Sequence, residues 1–155
     1  ARAFGADAIL LMANLLDAGE LRRLFDLAQT LGLDVLFECH DLAQIHAVPA
    51  GAKIYGINSR TFASHAALYE TSRQHRAAGG KEDLTTDLRQ FDLVSHLPPG
   101  ALKVAESGVS AGTVARLRDT LGYDAALVGT SLLLSKEGAA DELKSFEAAL
   151  SIPRS

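Results

Sequence analysis

Three polar side chains stand where apolar segments of the chain end. Glu38 follows the run 35–37, Asn58 follows Ile57, and Glu106 follows Ala105. A carboxylate at the end of an apolar segment is costly to bury unless it has a partner or a purpose. Glu38 therefore suits a general base or an electrostatic stabiliser of a cationic intermediate, and an interior salt bridge with Lys103 is the alternative.

The residues around these positions have both chemical and structural interpretations. Asn58 can hydrogen-bond a substrate hydroxyl, or it can serve as an ordinary turn residue. Arg60 can pair with Glu38 across the mouth of a site, or it can meet a substrate carboxylate. His40 and Asp41 are expected to serve the following turn and the cap of the next helix.

Glycines lie beside hydroxyl residues in the segments 106–108 and 129–131. Gly108 and Gly129 have no side chain, so backbone N–H groups can approach an anion there. Ser107, Thr130 and Ser131 add hydroxyl groups, and Thr130 can begin a short helix. Each glycine alone is typical of a tight turn, but the two together at successive strand ends favour a phosphate site.

A repeated pattern predicts the elements that position these residues. Glycine, any residue, a charged residue and an apolar residue recur at 5–8, 32–35, 51–54 and 122–125. Such a glycine suits the left-handed position after a helix, and the following apolar run suits a buried parallel strand. The predicted strands are 8–12, 35–39, 54–57, 102–106 and 125–128.

Helical patterns alternate with these strands. Asp17 and Glu20 have the spacing of a capping box, and the helix that follows is predicted to place five apolar residues on one face, namely Leu21, Leu24, Phe25, Ala28 and Leu31. The alternation predicts an α/β fold with parallel strands. The other predicted helices are 41–48, 84–97, 111–121 and 141–150.

The chain is predicted to be a single domain over residues 1–155 with one long inserted loop at 59–83. This loop is long for a connection between a strand and a helix. It is either a solvated insertion with a short helix near 66–77 or a lid over the site. His65 and His75 within it lack a typical metal-ligand spacing, so no metal is expected.

Composition excludes several classes of partner. The chain has 15 Lys and Arg against 19 Asp and Glu, which argues against nucleic acid and against an anionic membrane surface. No apolar run approaches the roughly 20 residues that span a bilayer. Cys39 is the one cysteine and is expected in the core. Because a single cysteine cannot form an internal disulfide, nothing indicates an oxidising compartment, and a cytoplasmic location is expected. The chain begins at Ala1 without an initiator methionine, which suggests a fragment or a processed chain.

Five segments taken in order resemble the last five strands of the indole-3-glycerol phosphate synthase family. Motifs such as Glu-Ser-Gly are moderately specific alone, but five in the correct order are strongly specific. The resemblance covers nearly the whole chain except about 61–82. The segments are 5–11, 31–41, 51–60, 106–109 and 127–132.

This resemblance implies a partial (β/α)8 barrel and a reaction of tryptophan biosynthesis. Members of the family close the indole ring of a carboxyphenylamino-deoxyribulose phosphate, releasing carbon dioxide and water without a cofactor. By resemblance, Glu38 assists proton transfer, while Asn58 and Glu106 orient the substrate hydroxyls and catalytic neighbours. Arg60 matches a residue beside the phosphate. The remaining phosphate-binding positions implied by the resemblance are Ser107, Gly108, Gly129 and Thr130.

The family's first three strands and its lysine general acid have no counterpart in this chain, and the loop at 59–83 is longer than the family's usual connection. We therefore expect a small phosphorylated substrate, little turnover by this chain alone, and either a homo-oligomer or a missing N-terminal segment. Two alternatives stay open. One is another phosphate-binding barrel enzyme such as phosphoribosylanthranilate isomerase, and the other is a non-catalytic half-barrel that binds phosphate and oligomerises through its open edges.

Overall fold

The computed structural model describes residues 1–60 and 85–151. Five strands alternate with helices along the chain. The strands are β1 (Ala8–Met12), β2 (Asp34–Cys39), β3 (Ile54–Asn58), β4 (Leu102–Glu106) and β5 (Ala125–Leu127). The α-helices are α1 (Ala18–Thr30), α2 (Leu42–Ala47), α3 (Ala111–Asp119), α4 (Thr130–Leu133) and α5 (Ala139–Leu150), with 3₁₀ helices at Arg2–Phe4 and Leu88–His96.

The strands form one parallel sheet in the order β1-β2-β3-β4-β5. Each strand is therefore hydrogen-bonded to its neighbours in sequence, and β1 and β5 are the two edges. This is the order of a β/α barrel opened along one line, and it differs from the rearranged order of a doubly wound sheet. The predicted partial barrel with five parallel strands is confirmed.

One face of the sheet carries the hydrophobic core. Helices α1, α2, α3 and α5 and the 3₁₀ helix Leu88–His96 contribute buried side chains to this core. Phe37 lies at its centre with no exposed surface, and its ring contacts those of Phe25 and Tyr55 at centroid distances of 5.6 and 6.4 Å. The strand residues on this core face are Leu11, Val35, Phe37, Cys39, Tyr55, Ile57 and Ala105.

The opposite face is apolar at its base and polar at the carboxyl ends of the strands. Leu36, Ile54 and Val104 lie along its middle, and Glu38, Asn58 and Glu106 follow at the ends, since side chains alternate between the faces. This face is exposed on the edge strands, with Leu10 at 41% and Leu127 at 55%, and at the start of β4, where Leu102 is 44% exposed. We call it the open face.

Most predicted element bounds agree with the structure within one or two residues. The four glycines proposed to take the left-handed position after a helix, Gly5, Gly32, Gly51 and Gly122, all have positive φ, although Gly51 lies in a turn four residues after the end of α2. Asp17 caps α1, since its Oδ1 accepts the N–H of Glu20 at 2.8 Å. These features are local, which explains why the sequence was sufficient to predict them.

Two expectations need correction. Leu31 is not on the buried face of α1, because the helix ends at Thr30 and Leu31 is 45% exposed. The helix predicted at 84–97 is a 3₁₀ helix over Leu88–His96, and Leu84 lies outside the described residues. The apolar runs indicated buried strands, and β2, β3 and β4 are largely buried, whereas β1 and β5 are the open edges expected of a partial barrel and are largely exposed.

Candidate active site

Glu38 lies at the end of β2 and receives two hydrogen bonds on one oxygen. His40 Nε2 donates to Glu38 Oε1 at 3.0 Å, and Asn58 Nδ2 donates to the same atom at 3.0 Å. Only 6% of Glu38 is exposed. The amide of Asn58 is itself fixed, because its Oδ1 accepts the backbone N–H of Arg60 at 2.9 Å. Glu38 is therefore a buried carboxylate held in one orientation.

Glu106 lies at the end of β4 and extends back over β3. A Cβ atom at Gly56 would lie 1.7 Å from Glu106 Oε1 and 2.7 Å from its Cδ, so the carboxyl group occupies the space that a side chain at position 56 would need. Glu106 is 2% exposed, and its Oε1 has no hydrogen-bond partner. Glycine at position 56 thus allows Glu106 to approach Glu38.

The two carboxyl groups titrate in opposite directions. Burial alone would raise the pKa of Glu38, but the hydrogen bonds from His40 and Asn58 outweigh burial and hold this pKa below its ordinary value. Burial raises the pKa of Glu106 to about 8, and the neighbouring charge of Glu38 and a hydrogen bond between the carboxyl groups add to the shift. At neutral pH Glu38 is ionised and Glu106 is mainly protonated.

Hydrogen bonds connect the loops after β3, β4 and β5. Ser59 Oγ donates to the carbonyl oxygen of Ser107 at 2.9 Å, and the Ser59 N–H donates to the carbonyl of Glu106 at 2.9 Å. Ser131 Oγ donates to the carbonyl of Val109 at 3.2 Å. These bonds fix the loops relative to one another at the carboxyl edge of the sheet.

A pocket of about 420 Å³ opens between these loops. The five residues assigned from the sequence to phosphate binding all line it, namely Arg60, Ser107, Gly108, Gly129 and Thr130. Thr130 begins helix α4, with Gly129 at its N-cap, as expected. The Nε atom of Arg60 is buried and has no hydrogen-bond partner. The pocket thus combines a cationic side chain with glycine backbone and hydroxyl groups.

The two glycines of this pocket have different surroundings. Gly108 has φ +63°, and a side chain there would be crowded, since a Cβ would lie 3.0 Å from Ser59 Oγ and from Thr86 Oγ1. A Cβ at Gly129 would meet no atom within 4 Å. Ser107 has φ 62° and is the one non-glycine residue with positive φ in the described ranges. Strained backbone of this kind concentrates at functional sites.

Neither of the two ion pairs considered for Glu38 is present in the described residues, whereas the expected helix cap at Asp41 is present. Lys103 does not pair with Glu38, because it belongs to the core-facing set of β4 while Glu38 is on the open face. Arg60 forms no ion pair with Glu38 among the residues that the structure describes. Asp41 caps α2 as expected, since its Oδ1 accepts the N–H of Gln44 at 2.8 Å.

His40 has a role that the sequence reasoning missed. Its backbone N–H serves the turn by donating to Gln44 Oε1 at 2.8 Å, as expected, but its side chain contacts Glu38. Gly56 and Ser59 were also missed. A glycine within an apolar strand is a signal of close approach by another group, and it would have marked Gly56. No comparable signal marks Ser59 or His40.

The part of the chain with described coordinates contains no group of three or more His, Cys, Asp or Glu residues that could hold a metal ion. His65 and His75 lie outside that part, as does most of the inserted loop predicted at 59–83.

None of the helices between residues 1 and 60 or 85 and 151 has both the length and the apolar content needed to cross a bilayer. Cys39 is buried on the core face, and burial raises its thiol pKa to about 12.

Sequential parallel β/α units with polar residues at the carboxyl ends define part of a β/α barrel. Solved structures agree: 3-hexulose-6-phosphate synthase from Salmonella typhimurium superposes with a TM-score of 0.65 over 96% of this chain and 64% of that protein, at 20% identity. At this identity the likeness shows the fold alone.

Residues 1–78 match the family model of indole-3-glycerol phosphate synthase. The chain belongs to the indole-3-glycerol phosphate synthase family. It is 35% identical over 137 residues to the synthase of Chlorobium phaeobacteroides and 39% identical over 128 residues to that of Campylobacter concisus. These alignments cover 88% and 81% of this chain but 46% and 42% of the relatives. The chain thus spans about half the length of the curated relatives it matches.

Proposed function

We propose that this chain supplies the phosphate-binding part of an indole-3-glycerol phosphate synthase active site. The reaction is ring closure of 1-(2-carboxyphenylamino)-1-deoxyribulose 5-phosphate with loss of carbon dioxide and water, and it requires no cofactor. One observation carries the proposal: the pocket that contains Arg60 and Gly129 adjoins the cluster of Glu38, Asn58 and Glu106. The family assignment favours this reaction over that of phosphoribosylanthranilate isomerase.

The substrate phosphate is assigned to the pocket between the loops. Arg60 provides a buried guanidinium nitrogen without a partner, and a buried donor of this kind favours binding of an acceptor. The space beside Gly129 lets an anion reach the first backbone N–H groups of α4. Ser107 and Thr130 add hydroxyl groups at the same rim.

The ring-closing chemistry is assigned to the polar strand ends. Glu38 is ionised at neutral pH, which suits a general base or a stabiliser of positive charge in the substrate. Asn58 orients Glu38 and lies at the end of β3, beside Arg60. Substrate atoms next to the phosphate would thus meet Glu38 from the open face of the sheet.

We further propose that turnover by this chain alone is negligible. Lys53 and Lys103 lie at the starts of β3 and β4, at the opposite ends of the strands from Glu38. Lys136 and Lys144 lie beyond α4, and Lys81 is outside the described residues. Loss of a positioned general acid reduces a rate by about 10²–10⁴-fold.

A cytoplasmic location is also proposed, since the one cysteine, Cys39, cannot form an internal disulfide.

Titration of the chain with inorganic phosphate, followed by NMR, tests the phosphate assignment. We expect Arg60→Gln to weaken binding about tenfold or more, because a charge-assisted hydrogen bond is lost. Gly129→Val should abolish binding, because the valine side chain would fill the space proposed for the anion. The fold should stay intact, because a Cβ at this position meets no atom within 4 Å. Arg23→Gln, at an exposed position of α1, is the matched control. Unchanged affinity in Gly129→Val would exclude this pocket.

Formation of indole-3-glycerol phosphate tests the reaction itself. The purified chain is assayed with the carboxyphenylamino substrate, alone and with the first three strands of a family member supplied in trans or by fusion. We expect turnover only in the combined protein, and we expect Glu38→Gln to remove it. Full turnover by the chain alone would require an acid within the 59–83 loop and would contradict the proposed division of the site.

A second candidate is a non-catalytic half-barrel that binds phosphate and associates with another copy through its edges. The observation in its favour is that β1 and β5 are unpaired edges, with Leu10 and Leu127 exposed on the open face. Exposed strand edges and apolar patches favour association. This candidate predicts phosphate binding without turnover in any combination, so the two assays above separate it from the synthase.

A further inference from the structure

Glu38 and Glu106 are two buried carboxyl groups on adjacent parts of the open face. Both are more than nine-tenths buried. Glu38 lies beside Gly56 in the sheet register, and the carboxyl group of Glu106 occupies the space next to Gly56, so the two carboxyl groups are neighbours. Two ionised carboxylates at this separation repel strongly where water is excluded. The arrangement therefore needs either a cation between them or a proton.

The described residues supply no cation for Glu106. His40 contacts the pair by donating to Glu38 Oε1, whereas Arg60 lines the neighbouring pocket and forms no ion pair with either carboxylate among the described residues. Asp41 and Cys39 follow Glu38 in the chain but provide no positive charge. Lys103 lies at the start of β4 on the core-facing side.

The contacts are also unequal. Glu38 Oε1 receives donors from both His40 and Asn58, whereas Glu106 Oε1 receives none. An ionised carboxylate with a buried oxygen that lacks a donor is costly, and a neutral carboxyl group avoids much of this cost. Gly56 keeps Glu106 in this position, since any larger residue would collide with its carboxyl group.

We propose that Glu38 and Glu106 retain one proton between them at neutral pH, carried by Glu106, which acts as a positioning residue by donating a hydrogen bond to the ionised Glu38. The opposite pKa shifts of the two groups support this assignment. The use of the pair in ring closure rests on the proposed synthase function, but the protonation does not. A synthase assay and a proton titration can therefore fail independently.

The test is ¹³C NMR titration of the glutamate side-chain carboxyl carbons in the full 155-residue chain. We expect one carboxyl to titrate with a midpoint near pH 8, and we expect this transition to disappear in Glu106→Gln and persist in Glu137→Gln, an exposed control. Glu38→Gln should move the midpoint down by more than one pH unit, because the neighbouring charge is removed. Absence of any carboxyl titration above pH 7, or its persistence in Glu106→Gln, would overturn the proposal.

A second readout separates positioning from a purely structural role. Glutamine at position 106 retains a donor for Glu38, so Glu106→Gln should preserve the low titration midpoint of Glu38. Glu106→Leu removes the donor, so the midpoint of Glu38 should rise. Equal midpoints in the two variants would contradict the proposed hydrogen bond.

The same proton links stability to pH. The folded state binds a proton on Glu106 that the unfolded chain releases near the ordinary glutamate pKa of 4.5, so the stability from this group is present below that value and falls as pH rises toward 8. Urea unfolding between pH 5 and 8 should show this decline in the parent chain and a smaller one in Glu106→Gln. Identical pH dependence in both would count against a retained proton.

Discussion

Ser107 combines a strained backbone with a position in the pocket that is proposed to bind phosphate. Its φ of 62° is a conformation that costs an L-residue about 1–2 kcal/mol, and only glycine adopts it freely. Its carbonyl oxygen accepts a hydrogen bond from Ser59 Oγ, which links the loops after β3 and β4. We infer that this bond helps to hold Ser107 in its conformation.

Comparison of Ser107→Gly with Ser107→Ala measures this strain, since both changes remove the hydroxyl. We expect Ser107→Gly to be more stable by about 1 kcal/mol in urea unfolding, because glycine carries no penalty at positive φ. The matched pair is Ser95→Gly and Ser95→Ala in the 3₁₀ helix Leu88–His96. There the order should reverse, because glycine loses more freedom on folding. Equal stability of the two Ser107 variants would argue against stored strain.

Both glutamates of the site were predictable from the sequence as strand-end carboxylates, but their difference was not. Glu38 and Glu106 each end an apolar strand, so pattern alone treats them as equivalent. The difference arises from His40, Asn58 and Gly56, which lie on other strands or loops and meet only in the folded chain. Local spacing carries no information on such contacts.

Helix α1 begins with an N-cap that the sequence pattern predicts. Asp17 adopts an extended conformation, and its carboxylate accepts the N–H of Glu20 at the start of the helix. The helix buries Leu21, Phe25 and Ala28 against the sheet. Its start is therefore fixed by polar geometry and its orientation by apolar packing.

Replacing Asp17 tests the contribution of this cap. We expect Asp17→Ala to lower the free energy of unfolding by about 1 kcal/mol, whereas Asp17→Asn should retain most of it, because asparagine is also a good N-cap. Urea denaturation of both variants measures the difference. A loss of similar size in Asp17→Asn would indicate that the charge near the helix N-terminus, and not the hydrogen bond, is the stabilising factor.

At the level of elements, prediction succeeded where a signal is local and failed where burial depends on neighbours. The strand Leu102–Glu106 was placed at both ends from its apolar run and preceding turn. The strand Ala125–Leu127 was also located, but its exposure does not follow from its own residues, because a sequence of alanine and leucine looks the same at an edge and in the centre. The exposure was expected from the strand count, which leaves this strand at an open edge. The prediction that Leu31 lies on the buried face of α1 was wrong for a different reason, because sequence patterns do not define the last residue of a helix closely.

For the whole molecule, the exposed edges predict self-association. The open face presents Leu10 on β1 and Leu127 on β5, the two strands without a second neighbour in the described sheet. We expect light scattering at tens of micromolar to show a dimer or larger assembly, and Leu127→Lys to shift it toward monomer by placing charge on the edge.

Leu31→Lys is the control for this experiment, because Leu31 is similarly exposed but lies at the end of α1, away from the open face. It should leave the assembly unchanged. A monodisperse monomer of the parent chain, at the 16.4 kDa mass of the polypeptide, would remove the basis for association through the edges.

The sequential strand order has a consequence for how the chain can be assembled over time. Every ladder of the described sheet joins strands that are consecutive along the chain, so β1 and β2 can pair as soon as residues 8–39 have left the ribosome, before later strands emerge. Each further strand then adds to a preformed template, as units add in a repeat protein. A strand can be added in the same way at either edge of the sheet, so a duplicated or transplanted β/α unit could be appended at β1 or β5 without breaking any existing ladder. A fold with this property is suited to recombination of gene segments, because each strand pairs only with strands that are its neighbours in sequence.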